Sequence, residues 1–110
     1  MSGFVRVADV GDVRPGRTRA IDVDGERLLL CNVGGAICAV ADVCTHDRGP
    51  LGEGRLRGAA IECPRHGARF DVRDGSVVAP PAVRALRTYP VRVVDGAVEV
   101  ALEAVPIPVP

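Results

Sequence analysis

Apolar positions recur in short runs of Val, Leu and Ile between Gly-rich turns. No window holds the 3.6-residue period of an amphipathic helix. The pattern predicts strands near residues 4–8, 18–23, 26–33, 36–41, 59–63, 68–72, 76–79, 86–94 and 97–102. A single helical turn is expected around Val5–Val10 or Leu51–Gly54. Asp24-Gly25, Gly34-Gly35 and Asp95-Gly96 each suit a two-residue hairpin turn, because Gly and Asp tolerate the positive φ such turns require. A two-residue loop at Asp95-Gly96 pairs Val94 with Ala97, Val93 with Val98, Arg92 with Glu99 and Val91 with Val100. That register gathers valines on one face and sets the Arg–Glu pair on the other. The fold class is all-β, with antiparallel sheets in a sandwich or partial barrel.

The stretch from about Cys44 to Pro81 departs from this pattern. It is rich in Gly, Pro and Arg and holds both histidines of the chain. It reads as a functional lobe inserted into a β framework. The tail, residues 104–110, alternates proline with apolar residues and predicts an extended segment, since proline has no amide to give to a sheet interior. A length of 110 residues fits one small domain spanning 1–110, too short for a dinucleotide fold joined to a substrate domain. Aromatic residues make up only 3% of the chain, so the core must be aliphatic.

Fourteen basic residues, all Arg, balance 14 acidic ones. A zero net charge argues against a nucleic-acid partner, which calls for a basic excess. No apolar run approaches the ~20 residues of a membrane helix, and the N-terminus carries no secretory pattern. A cytoplasmic, monomeric protein with no membrane contact is the expectation.

Cys44-Thr45-His46 and Cys63-Pro64-Arg65-His66 each place a thiol and an imidazole in one tight loop, with sixteen residues between His46 and Cys63. The cysteines alone could be buried apolar thiols or a disulfide, and the histidines surface residues. Yet the chain has two histidines, and each follows a cysteine by two or three positions. Metal binding explains that coincidence best. Zinc accepts two Cys and two His, but finger-type spacing groups like with like. Mixed loops suit a two-iron cluster with both thiolates on one iron and both imidazoles on the other.

With its flanks, Val43 to Leu51 and Gly67-Ala68-Arg69-Phe70-Asp71, this pattern resembles the Rieske [2Fe–2S] motif, and the resemblance runs from the first strand to about Leu102. It implies a β framework with a cluster-binding subdomain, here about residues 43–81. It also implies one [2Fe–2S] cluster, with Cys44 and Cys63 on the inner iron and His46 and His66 on the outer, more exposed one. Respiratory and photosynthetic members carry a disulfide between their cluster loops, and the matching positions here are Gly49 and Arg65. Where those members have Ser and Tyr hydroxyls donating to sulfur, this chain has Ala68 and Phe70. Donors to sulfur stabilise the added electron, so their loss lowers the potential. The resemblance therefore points to a low-potential ferredoxin, an electron carrier and not an enzyme. It would take single electrons from a flavin-dependent ferredoxin reductase to a terminal oxygenase of the ring-hydroxylating type. The alternative is a Rieske-like small subunit of a nitrite reductase or other redox complex, against which retention of all four ligands argues.

Three further features follow. Pro80-Pro81 is expected in a loop covering the cluster. Cys31 and Cys38 face each other across the Gly34-Gly35 turn, and two free thiols are expected there over a disulfide. Arg48, Arg65 and Arg69, with Asp47, Glu53 and Asp71 nearby, read as a solvated rim of mixed charge.

Overall fold

Leu28-Leu29-Leu30-Cys31 is the longest run of fully buried side chains in the chain's strands, and the architecture is organised around it. In the computed structural model, which describes residues 3–52 and 54–102, this run lies in β3 (Glu26–Val33). It is flanked by β2 (Thr18–Val23) and β4 (Ala36–Ala41), and β9 (Thr88–Tyr89) completes an antiparallel sheet of order β2-β3-β4-β9. A strand points successive side chains to opposite faces. Leu28 and Leu30 accordingly enter one core with Val13, Val23, Ala39, Tyr89, Val98 and Val100. Leu29 and Cys31 enter another with Val40, Cys44, Leu51, Ile61, Cys63 and Phe70. A sheet covered on both sides needs an unbroken apolar strand, and β3 supplies it.

The first core is closed by β1 (Phe4–Asp9), β10 (Val91–Val94) and β11 (Ala97–Ala101), in the order β1-β11-β10. The second is closed by four three-residue strands, β5 (Arg55–Arg57), β6 (Ala60–Glu62), β7 (Arg69–Asp71) and β8 (Val77–Ala79), paired in chain order. Since β4 pairs directly with β9 through Ala39–Tyr89 and Val40–Thr88, everything between them is an excursion from the middle sheet that returns to it. No helix among the described residues is long and apolar enough to cross a membrane.

The three hairpin turns form at the expected residues, and both positions of each have positive φ, from 50° at Asp24 and Asp95 to 101° at Gly35. The β10–β11 register is the one expected, Val94–Ala97 through Val91–Val100. Its apolar face is only half covered. Val98 and Val100 are fully buried, while Val93, on the edge strand, is 49% exposed. Cys31 and Cys38 are directly opposed, and both are free thiols. Burial, with the neighbouring Cys38, pushes the Cys31 thiol up to about 12, so it is neutral and unreactive near pH 7.

Three expectations need correction. The helical turn is a 3-10 turn at Val10–Asp12; Val5 to Asp9 are strand, and near Leu51 the Gly54 N–H donates to the Leu51 carbonyl at 2.9 Å. The strand read over 86–94 is two strands in two sheets, because Pro90 has no amide and breaks the ladder between Tyr89 and Val91. Strand β5 was not anticipated; its one apolar residue between two arginines carries too little alternation to be read. Glu53 and the tail, residues 104–110, lie outside the described residues.

The two-sided role of β3 sets an expected outcome. Leu30→Ala should cost about 2–5 kcal/mol of unfolding free energy. Val93→Ala should change it by less than about 0.5 kcal/mol. Urea denaturation followed by circular dichroism measures both.

Candidate metal centre

Two loops carry the four candidate ligands, and the same backbone device closes each. Cys44 N–H donates to the Gly49 carbonyl at 2.8 Å, and Arg48 N–H donates back to the Cys44 carbonyl at 2.7 Å. Cys63 N–H donates to the Ala68 carbonyl at 2.7 Å, and Gly67 N–H to the Cys63 carbonyl at 3.0 Å. The fourth residue after each cysteine has positive φ, 64° at Arg48 and 77° at Gly67. Such a turn curls its first residues around one point, so each loop presents its cysteine inward and its histidine outward.

Asp42 ties the first loop to the sheet. Its side chain is buried, and Oδ1 accepts the N–H groups of Leu51 and Gly52, each at 2.8 Å. Its other oxygen meets Arg27 Nη2 at 3.2 Å. The segment from Val43 to Leu51 is thus pinned at its base. On the far side the loop after Pro80-Pro81 lies against it: Thr45 Oγ1 donates to the Arg84 carbonyl at 2.7 Å, and Ala82 and Leu86 pack into the core that holds both cysteines.

Cys44 and Cys63 are fully buried, and their sulfurs lie within 4.8 Å of each other and of a carboxylate oxygen of Asp47. Burial raises the Cys44 thiol above its ordinary value, and the neighbouring Cys63 adds to the rise. The Cys44 thiol so placed resists becoming a thiolate unless a cation lies beside it. His46 and His66 are exposed, with ring centroids 5.1 Å apart and planes at 90°. The pairs are sorted: sulfur within, nitrogen at the surface, one of each from each loop. This donor set fits a group with one soft, buried pole and one imidazole-ligated, exposed pole.

Asp47 and Arg65 form the polar bridge between the loops, a role not legible as a rim of mixed charge. Arg65 engages both Asp47 oxygens, with Nη2 at 3.0 Å from Oδ1, and Nη1 donates to the Pro50 carbonyl at 2.9 Å. The Arg65 hydrogen bonds, then the N–H of Gly49, hold the Asp47 carboxyl well below the usual carboxylate range. A depressed carboxylate contributes stability present above its unfolded value near ~3.9 and lost only as pH falls through the folded one. The bridge therefore stays charged across neutral and mildly acidic pH. Opposite charges beside the two histidines, Asp47 after His46 and Arg65 before His66, were the available signal. Asp42, two residues before Cys44, gave none, since its role depends on burial. Arg69 instead pairs weakly with Glu62 at 3.8 Å.

Residues 3–90 match the Rieske [2Fe-2S] domain family, and the chain belongs to it. The group it carries is one [2Fe–2S] cluster. Its relatives are ferredoxins: the ferredoxin component of biphenyl 2,3-dioxygenase from Rhodococcus jostii (strain RHA1) is 39% identical over 100 residues, 91% of this chain and 94% of the relative. Among solved structures, the ferredoxin of carbazole 1,9a-dioxygenase from Nocardioides aromaticivorans IC177 superposes with TM-score 0.87 at 37% identity, covering 91% of this chain and 98% of the other. A chain from a complex of reduced oxygenase and oxidised ferredoxin in carbazole 1,9a-dioxygenase gives 0.90 at 34% identity, covering 96% and 99%. These relatives are electron-transfer components of dioxygenase systems and not catalytic subunits, and this chain falls in the same class.

The anchoring of the first loop is testable. Asp42→Ala leaves the buried Leu51 amide without an acceptor and should cost about 1–3 kcal/mol. Asp42→Asn keeps an accepting oxygen and should cost clearly less. Denaturation midpoints, with iron content per chain, read the outcome.

Proposed function

We propose that Cys44 and Cys63 hold one iron of the cluster and His46 and His66 the other, and that the protein carries single electrons from a flavin-dependent ferredoxin reductase to a terminal ring-hydroxylating oxygenase. The observation that carries this reading is the sorting of the ligands, buried sulfurs behind and exposed imidazoles in front. When bound, the cluster supplies a one-electron couple. The chain's own residues do the rest. Leu51, Phe70, Ala82 and Leu86 keep water from the sulfur side. The histidine edges offer the shortest path to a docked partner, so both electron donor and acceptor would use this face in turn. A cytoplasmic location accords with four unpaired cysteines.

The same residues support a low potential. Across the two loops, residues 44–51 and 63–70, the one hydroxyl side chain is Thr45, and it is committed to the Arg84 carbonyl. Ala68 and Phe70 have no proton to donate to sulfur. An added negative charge therefore gains little from side-chain donors, and the potential should lie low in the Rieske range, about −150 mV.

Electron paramagnetic resonance of the dithionite-reduced protein tests the ligand set. A Rieske-type signal of low average g, titrating below zero, is expected; a clearly positive potential would refute the hydroxyl argument. Cys44→Ala, Cys63→Ala, His46→Ala and His66→Ala should each abolish the signal. Cys31→Ala and Cys38→Ala should keep it. Zinc in place of iron in the native protein would remove the electron carrier altogether.

A further inference from the structure

We propose that Arg65, seated on Gly49 and forked onto Asp47, is a clasp that holds the two cluster loops together and balances the charge beside the sulfurs. The inference rests on the ligand assignment above. Each loop's backbone hydrogen bonds close only that loop. Between the loops, among the described residues, Cys44 and Cys63 approach each other in the core, and the charged side-chain contacts that join the loops are those of Asp47 and Arg65. Arg65 donates to both oxygens of Asp47 and to the Pro50 carbonyl. Asp47 Oδ2 in turn lies 3.4 Å from His66 Nδ1 and 3.9 Å from Cys63 Sγ. A planar guanidinium fork meeting a carboxylate fixes direction as well as distance. A lysine, with a compact ammonium and no planar fork, would not.

Gly49 completes the clasp. A β-carbon at this position would stand 2.5 Å from Arg65 Cζ and Nη2 and 2.8 Å from Nε. Its backbone is not in the positive-φ region, so no turn geometry demands glycine here. A β-carbon here would occupy the place of the guanidinium, so any larger residue must push Arg65 out of its seat.

The clasp also carries two opposite charges close to the buried sulfurs. Each alone would bias the electron affinity of the site, and together they offset one another. This makes Arg65 a positioning residue whose loss has two separable effects. Arg65→Gln and Asp47→Asn should both loosen the loops, so iron is lost to a chelator about tenfold faster than from the parent protein, the scale of one charge-assisted bidentate contact. Their potentials should move in opposite directions. Arg65→Gln leaves an unopposed carboxylate and lowers the potential; Asp47→Asn leaves an unopposed guanidinium and raises it.

Gly49→Ala removes no charge, but it displaces the guanidinium and should also speed iron loss. Adding it to Arg65→Gln should produce no further loss, because the two changes break one contact. Iron release and potentiometric titration of the holoprotein read all four variants. Parent-like release in Arg65→Gln and Gly49→Ala, or potentials that shift the same way in Arg65→Gln and Asp47→Asn, overturns the clasp. A parent protein with no His-ligated cluster signal overturns the ligand assignment instead.

Discussion

The constraint on which the structure depends is that two sulfurs from separate loops must meet inside a hydrophobic core. Cys44 and Cys63 belong to the same buried cluster as Leu29, Val40, Ile61 and Phe70. Apolar packing alone would place two neutral thiols there. A cation bound between two thiolates there is held strongly, because the low polarity of the surroundings strengthens the attraction. Fold stability and metal affinity are thereby joined: the core that sets the sulfurs side by side is the one a metal held between them would tie together.

The middle sheet makes this arrangement possible. Because β3 is apolar on both faces, one strand serves the framework core through Leu28 and Leu30 and the cluster core through Leu29 and Cys31. The four short strands of the excursion could not stand alone, since none exceeds three residues. They gain a second layer by packing Ile61 and Phe70 toward Leu29 and Val40. Asp42, at the end of β4, then passes the sheet's rigidity to the first loop through two backbone amides.

Much of this was legible in the sequence where local chemistry decides it. Turn residues with positive φ set the hairpins and their register, and the strand bounds of β2, β3 and β4 followed from the apolar runs. The candidate ligand pairs stood out because His is scarce in this chain and each follows a Cys by two or three positions. What was not legible depends on tertiary context. Pro90 splits a continuous apolar run because its two halves join different sheets. Val93 alternates as a core residue but lies on an uncovered edge. Arg65 reads as a rim charge until the loops are brought together in space.

The pair formed by positions 49 and 65 shows why a substitution that looks like a loss need not be one. The resemblance places a disulfide at these positions in the respiratory branch; here they are glycine and arginine, and the structure puts them in direct contact. A covalent bridge would join the loops more strongly, but its integrity would depend on the thiol–disulfide balance of its surroundings. An ion pair with a strongly depressed carboxylate is indifferent to that balance and is broken only by strong acid or by screening. It also differs electrically. A disulfide is neutral and contributes no charge, whereas the clasp sets a guanidinium and a carboxylate beside the sulfurs, each able to move the potential if the other is removed. A carrier built this way keeps its loops joined in a reducing compartment and keeps a place where one side chain can retune its driving force.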